Sequence, residues 1–267
     1  MIVFANAKIN IGLYVVSKRP DGYHNLETLF YPVPLFDAIE MVESDVAGLS
    51  VSGIMVDCPA GENIILKAYD LLKQDYNLPP VRFHLHKVIP YGAGLGGGSS
   101  NAASVLKMVN DYFNLQLTGE HLKRYAAKTG ADCPFFIDNV PMFATGIGDM
   151  LSPVNIDLSG YRIVIVKPTF SVSTREAYKR IIPSGPGFNL NNLSSHPVEE
   201  WNELIENDFE KYIFPLYPEI KKLKETLYGQ GAVFASMSGS GSSVFGIFNN
   251  VPEDLRKIIP EGILFTL

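Results

Sequence analysis

Pro90-Tyr91-Gly92-Ala93-Gly94-Leu95-Gly96-Gly97-Gly98-Ser99-Ser100-Asn101-Ala102-Ala103 is the stretch from which the rest of the chain can be read. Glycine fills 92, 94, 96, 97 and 98. Glycine is costly to order, so such a run is kept where backbone turns sharply, takes positive φ or presses against a ligand. Apolar residues at 102, 105, 106, 109, 112 and 113 follow with helical spacing and predict a helix over 101–113. A glycine loop thus feeds a helix N-terminus, whose free N–H groups and positive dipole end suit phosphate. Two common phosphate loops do not fit. Gly92, Gly94 and Gly97 match the dinucleotide fingerprint, and Asp111 lies near the spacing of its ribose-binding acid. Asp111, however, falls inside the helix, and no short βαβ crossover follows. Gly92 and Gly97 also have P-loop spacing, but Gly98-Ser99 stands where Lys-Ser/Thr is required.

The chain has 267 residues, enough for one large or two small domains. Its net charge of -6 argues against broad nucleic-acid binding. Two cysteines, Cys58 and Cys133, are too few for a disulfide framework or a zinc cluster and suit a reducing cytoplasm. No apolar run approaches a membrane span and no signal-peptide pattern opens the chain, so neither a membrane partner nor export is expected.

Alternation in the first fifteen residues predicts strands interrupted near 6–8, and Arg19-Pro20-Asp21-Gly22 marks a turn. Strands are expected around 39–41, 49–51 and 81–85, a helix over 62–76, another from Thr118 to 128, and a strand around 143–145. Without strict βαβ alternation this half reads as α+β. A boundary near 153–159 divides the chain into 1–154 and 155–267. Beyond it come a buried strand at 161–167, a helix opened by the capping box Ser173-x-x-Glu176, and a loop over 183–196. Helices over 198–206 and 218–228, strands at 232–237 and 242–248, a short helix and a last strand at 263–267 complete the order. That order predicts a sheet with helices on one face.

Phosphoryl transfer asks for a carboxylate near the acceptor hydroxyl and a cation beside it. Asp132, before Cys133-Pro134, is a candidate carboxylate, although on spacing alone it reads as a helix N-cap. Lys8, between apolar strand positions, is a candidate cation, although an edge or surface lysine is the commoner reading. Tyr23-His24 on a glycine turn offers stacking and hydrogen bonding to a base, or is simply a partly buried turn. His84 and His86 share a strand face without an evident third metal ligand and read as solvated. Cys133 reads as a packed small residue. Ser238-Gly239-Ser240-Gly241 is a second glycine turn, in form an ordinary hairpin.

In this order the pieces resemble the GHMP kinases, the galactokinase, homoserine kinase, mevalonate kinase and phosphomevalonate kinase superfamily. The resemblance covers nearly the whole chain, with motifs at 5–13, 90–103 and 237–248. Ala7-Lys8-Ile9-Asn10, Arg19-Pro20-Asp21-Gly22-Tyr23-His24, the glycine stretch 90–103 and Gly130-Ala131-Asp132-Cys133-Pro134-Phe135-Phe136 are similar to its branch that acts on a cytidine-diphosphate-bearing sugar alcohol in non-mevalonate isoprenoid synthesis. The resemblance implies two α+β domains, 1–154 for ATP and catalysis and 155–267 for substrate, with the active site in the cleft between them. It implies that Asp132 is the base for the substrate hydroxyl and that Lys8 keeps it ionised and offsets developing charge. Pro90, Tyr91, Gly92, Ala93, Gly94, Leu95, Gly96, Gly97, Gly98, Ser99 and Ser100 would wrap the ATP phosphates, with Asn63 and Lys87 near the adenosine. Asn10, Tyr23, His24 and Tyr178 would contact the cytidine-bearing substrate. Mg2+ would accompany ATP; its ligands stay open, with Ser99 or Ser100 able to contribute.

Overall fold

The structure, a computed structural model, describes residues 1–55, 63–260 and 262–267. Cys58 and the first position of the expected helix over 62–76 lie outside the described residues.

β1 (Ile2–Lys18) and β2 (His24–Glu43) are long strands joined by the expected turn, in which Gly22 takes φ +89° and Arg19 pairs with Asp21 at 2.9 Å. The break expected near 6–8 is absent. Residues 5–15 are buried without alternation, so β1 is covered on both faces. Its polar members Asn6, Lys8 and Asn10 have their side chains hydrogen-bonded inside the fold, which is why they do not interrupt the strand.

β3 (Gly48–Gly53) runs parallel to β4 (Val81–Lys87), and β4 pairs antiparallel with 38–43 of β2. β5 (Met142–Thr145) pairs with 28–30 of β2, and β6 (Met150–Pro153), too short and exposed to show a period, pairs with β5. Among the described residues this sheet has the order β3-β4-β2-β5-β6, with β1 also on β2. His84 and His86 lie on its partly exposed face, hydrogen-bonded to Ser50 and Ser52.

α1 (Ile64–Asp75), α2 (Gly97–Tyr112) and α3 (Gly119–Thr129) pack on one another, and α4 (Phe135–Asp138) packs on α2 and α3. Thr118 caps α3 as its position predicts. α2 begins at Gly97, a full turn before the expected start, because the buried residues of its first turn, Gly97 and Ser100, carry no apolar side chain to mark the period.

β7 (Arg162–Lys167), β8 (Phe234–Met237), β9 (Val244–Phe248) and β10 (Ile263–Thr266) form an antiparallel sheet in the order β10-β7-β9-β8. α5 (Thr174–Arg180) has Ser173 as its N-cap, as the capping box predicts. The expected loop over 183–196 contains a 3-10 helix at Leu190–Ser195. The expected helix over 198–206 is a 3-10 turn, Val198–Glu200, followed by α6 (Trp201–Leu204). After α7 (Glu210–Ile213), α8 (Pro218–Gly229) packs on β8 and β9, and α9 (Leu255–Ile258) precedes β10. Val164, Val166, Ile220, Leu227, Val244 and Phe248 are central to the core here.

Packing resolves two compact units interleaved in sequence. Met1–Ala7, Pro32–Tyr91 and Gly96–Val140 form one; Lys8–Tyr31, Gly92–Leu95 and Pro141–Leu267 form the other.

Candidate functional site

In the second unit, Lys8 is not a surface residue. It is 4% exposed, its Nζ donates to Asn10 Oδ1 at 2.6 Å and lies 4.8 Å from the centre of the Phe30 ring. Its backbone N–H donates to Leu95 O at 3.0 Å, so β1 holds this cation beside residues 92–95 of the glycine stretch. Asn10 is buried as well. Its Nδ2 donates to Thr28 Oγ1 at 2.9 Å, and its backbone N–H donates to Ser238 Oγ at 3.2 Å.

Ser238 connects the second glycine turn to the first. Its hydroxyl donates to Gly94 O at 2.8 Å, and Ser243 N–H donates to Ala93 O at 3.3 Å. Gly94 has φ +75°, and a Cβ there would lie 2.0 Å from Ser238 O. Only glycine permits that backbone approach. The turn between β8 and β9 is therefore more than an ordinary hairpin: it is the bed of residues 92–95. Asn207, 1% exposed, shapes this turn by donating to Met237 O at 2.7 Å and Gly239 O at 2.8 Å. Sequence reading missed Asn207, since an Asn between two short helices carries no pattern of its own.

The same unit brings His24 and Tyr178 together, with ring centroids 5.2 Å apart and planes 32° from parallel. Tyr178 in turn meets Phe209 edge-on at 4.9 Å. Burial above all, with the Lys18 charge adding to it, holds the His24 imidazole below its usual pKa, which favours the neutral ring at pH 7. Tyr23 is different: its side chain is 62% exposed, and its backbone N–H is held by Asp21 Oδ1 at 3.0 Å.

In the first unit, Gly96 takes φ +68° at the N-cap position of α2, and Gly97 and Gly98 are the first helical residues. With no side chain there, the helix N-terminus presents bare amides, the arrangement that binds phosphate. Ser100 Oγ is buried at this end without a hydrogen-bond partner. Gly97 is required by packing too, since a Cβ would lie 2.9 Å from Ile89 Cγ2 and 3.0 Å from Lys87 Nζ. Pro90 is buried and Tyr91 is exposed where the chain enters the loop.

Asp132 lies in the turn before α4, but Pro134 occupies the N-cap position, so capping does not account for the acid. Cys133 is fully buried, and burial raises its thiol pKa, in keeping with a packed residue and not a nucleophile. Asn63 caps α1, its Oδ1 accepting from Ile65 N–H at 3.0 Å. The Lys87 ammonium is committed to Asp37 Oδ2 at 2.5 Å. Burial lowers the Lys87 pKa, and Asp37 opposes that shift. Asp37 had no signal in the sequence beyond being one acid in a strand.

Among the described residues no group of three or more His, Cys, Asp or Glu is arranged to hold a metal ion. The orphaned Ser100 hydroxyl fits a magnesium ion carried mainly by nucleotide phosphates and water. No helix among the described residues is long and apolar enough to cross a membrane.

Comparison with known proteins gives the family of the chain. The GHMP kinases N terminal domain matches residues 63–146, and the GHMP kinases C terminal domain matches 190–261. The chain is 53% identical over 248 residues to the 4-diphosphocytidyl-2-C-methyl-D-erythritol kinase of Parabacteroides distasonis, covering 93% of this chain and 92% of that one. It is 52% identical over 268 residues to the Bacteroides thetaiotaomicron protein of the same name, covering 99% and 94%. A crystal structure of 4-(cytidine 5'-diphospho)-2C-methyl-D-erythritol kinase superposes with a TM-score of 0.83 at 31% identity, over 100% of this chain and 98% of that one. Homoserine kinase from Cytophaga hutchinsonii shares the fold, with a TM-score of 0.73 at 16% identity over 100% of this chain and 93% of that one. A glycine-built helix terminus, a buried lysine on β1 and a second glycine turn beneath the first thus occur in a chain that belongs to the GHMP kinases, within the family of the 4-diphosphocytidyl-2-C-methyl-D-erythritol kinases.

Proposed function

We propose that this protein transfers the γ-phosphoryl group of ATP to the 2-hydroxyl of 4-diphosphocytidyl-2-C-methyl-D-erythritol, giving the 2-phosphate and ADP. The observation that carries the reading is Lys8: a lysine 4% exposed, whose own backbone is hydrogen-bonded to Leu95 of the glycine stretch. A cation held beside a phosphate-binding loop is placed to offset the charge of a transferring phosphoryl group.

Residues 1–154 supply the nucleotide and catalytic chemistry, and 155–267 supply Tyr178 to the substrate. The amides of 92–98 bind the triphosphate. Asp132 accepts the proton of the 2-hydroxyl as its oxygen bonds to the γ-phosphorus and the bond to the β-phosphate oxygen breaks. Lys8 stabilises the negative charge on the transferring group. Asn10, Tyr23, His24 and Tyr178 hold the cytidyl substrate, while Asn63 and Lys87 support the adenosine end from the interior. Magnesium, when bound with ATP near Ser99 and Ser100, neutralises phosphate charge. The same reading places the enzyme in the cytoplasm, acting on small molecules and not on nucleic acid or membranes.

A coupled ADP-release assay tests the reaction. ADP release is expected with the cytidyl substrate and not with homoserine or mevalonate. Turnover of homoserine or mevalonate instead keeps a kinase and overturns the substrate.

A further inference from the structure

Along β2 the inward-facing positions are Val33, Leu35, Asp37, Ile39 and Met41. One acid stands in an apolar stripe, wholly buried. It accepts four hydrogen bonds, two on each oxygen. Oδ1 accepts from Val88 N–H at 2.7 Å and from Ile89 N–H at 2.8 Å. Oδ2 accepts from Lys87 Nζ at 2.5 Å and from Asn101 Nδ2 at 2.9 Å. Replacing a buried ion pair by apolar side chains of similar volume is often neutral or stabilising, so stability alone is a weak reason for this acid.

What the carboxylate joins is informative. Lys87 ends β4, residues 88 and 89 lead into the glycine stretch, and Asn101 belongs to the second turn of α2. Lys87 Nζ also lies directly against the backbone of Gly97, where a Cβ would be 3.0 Å away. One carboxylate thus ties the entry of the loop to the helix that leaves it. We infer that Asp37 is a positioning residue for the phosphate loop. With Lys87 and Asn101 it fixes where α2 begins, and so sets the spacing of the amides that receive the triphosphate. This role rests on the reading of 92–98 as the ATP site.

The test is a swap. Asp37→Asn puts an amide N–H2 where Lys87 and Asn101 both donate, and Asn101→Asp creates the opposite mismatch. The double variant restores one acid and one amide in the same place. KM for ATP, KM for the cytidyl substrate, kcat and Tm are measured for all three. Asp37→Asn is expected to raise KM for ATP by about tenfold, the worth of one charge-assisted hydrogen bond, and to leave the other KM within about twofold. The double variant is expected to recover most of that loss. A folded Asp37→Asn protein with unchanged KM for ATP overturns the role, as does a rise in both KM values that the swap does not repair. Should Asp37→Asn fail to fold, Asn101→Ala removes a single donor; a folded protein with unchanged KM for ATP then overturns the role equally. Wild type that binds no ATP analogue by calorimetry overturns the ATP reading itself, whereas wild type that binds it alongside variants that bind it equally well overturns only Asp37.

Discussion

Single residues in this chain are decided by what surrounds them. Tyr178 is one of seven residues in α5, a short helix with an ordinary capping box, yet its ring lies 5.2 Å from His24 and is braced by Phe209. A ring held that way has lost its rotamer freedom before any ligand arrives, so a base that stacks on it has less ordering to offset. Base stacking on an aromatic ring is worth about 1–3 kcal/mol. Tyr178→Ala is therefore expected to raise KM for the cytidyl substrate by roughly tenfold to a hundredfold, with Tyr178→Phe near wild type and KM for ATP unchanged. Steady-state kinetics with each substrate varied in turn checks this. A rise in KM for ATP alone would mean that the ring serves the nucleotide.

At the level of elements, the decisive contact is between residues 92–95 and the turn that joins β8 to β9. Two glycines of one stretch make opposite predictions. Gly94 has φ +75° and no room for a Cβ against Ser238 O, so Gly94→Ala is expected to cost more than about 1 kcal/mol of stability. Gly98 is helical, and the nearest atom to its missing Cβ is Ile64 Cγ2 at 4.0 Å. Packing does not require glycine there. Gly98→Ala is expected to raise stability by up to about 0.5–1 kcal/mol while weakening ATP, because the methyl group stands among amides meant for phosphate. Denaturant unfolding and calorimetry with an ATP analogue measure the two effects separately. A stabilised Gly98→Ala protein with undiminished affinity would take this residue out of the phosphate contact.

These elements also show what could be read from the amino-acid order. The glycine stretch, the helix after it, the capping box of α5 and the turn before Tyr23 were legible, because each depends on neighbours a few positions apart. The unbroken β1 was not: polar residues read as a break unless their buried partners are known, and Asn10 finds Thr28 only on the neighbouring strand, 18 positions away. Lys8 could be singled out by motif, but its burial was not foreseeable from alternation. Asp37 and Asn207 were invisible for a further reason. Asp37 meets partners 50 to 64 positions away and Asn207 meets carbonyls 30 and 32 positions away. No local period encodes such pairs.

For the molecule as a whole, binding and chemistry can be told apart through stability. A ligand that binds only the folded chain stabilises it by about 2.7 kcal/mol at a hundred times its Kd. The phosphate contacts assigned here come from backbone amides, whereas Asp132 is assigned to the acceptor's proton. Removing that carboxylate should leave nucleotide binding intact. Asp132→Asn is nearly isosteric and sits in a turn, not at the N-cap of α4, so no helix cap is lost. Its kcat is expected to fall by about 10²–10⁴-fold, the usual worth of a general base. Its thermal shift with a non-hydrolysable ATP analogue should equal that of wild type. The outcomes separate three roles. Lost turnover with a full shift assigns Asp132 to the transfer step. A lost shift assigns it to nucleotide binding. Wild-type turnover removes it from the reaction and leaves the proton of the 2-hydroxyl to pass to solvent or to the phosphoryl oxygens.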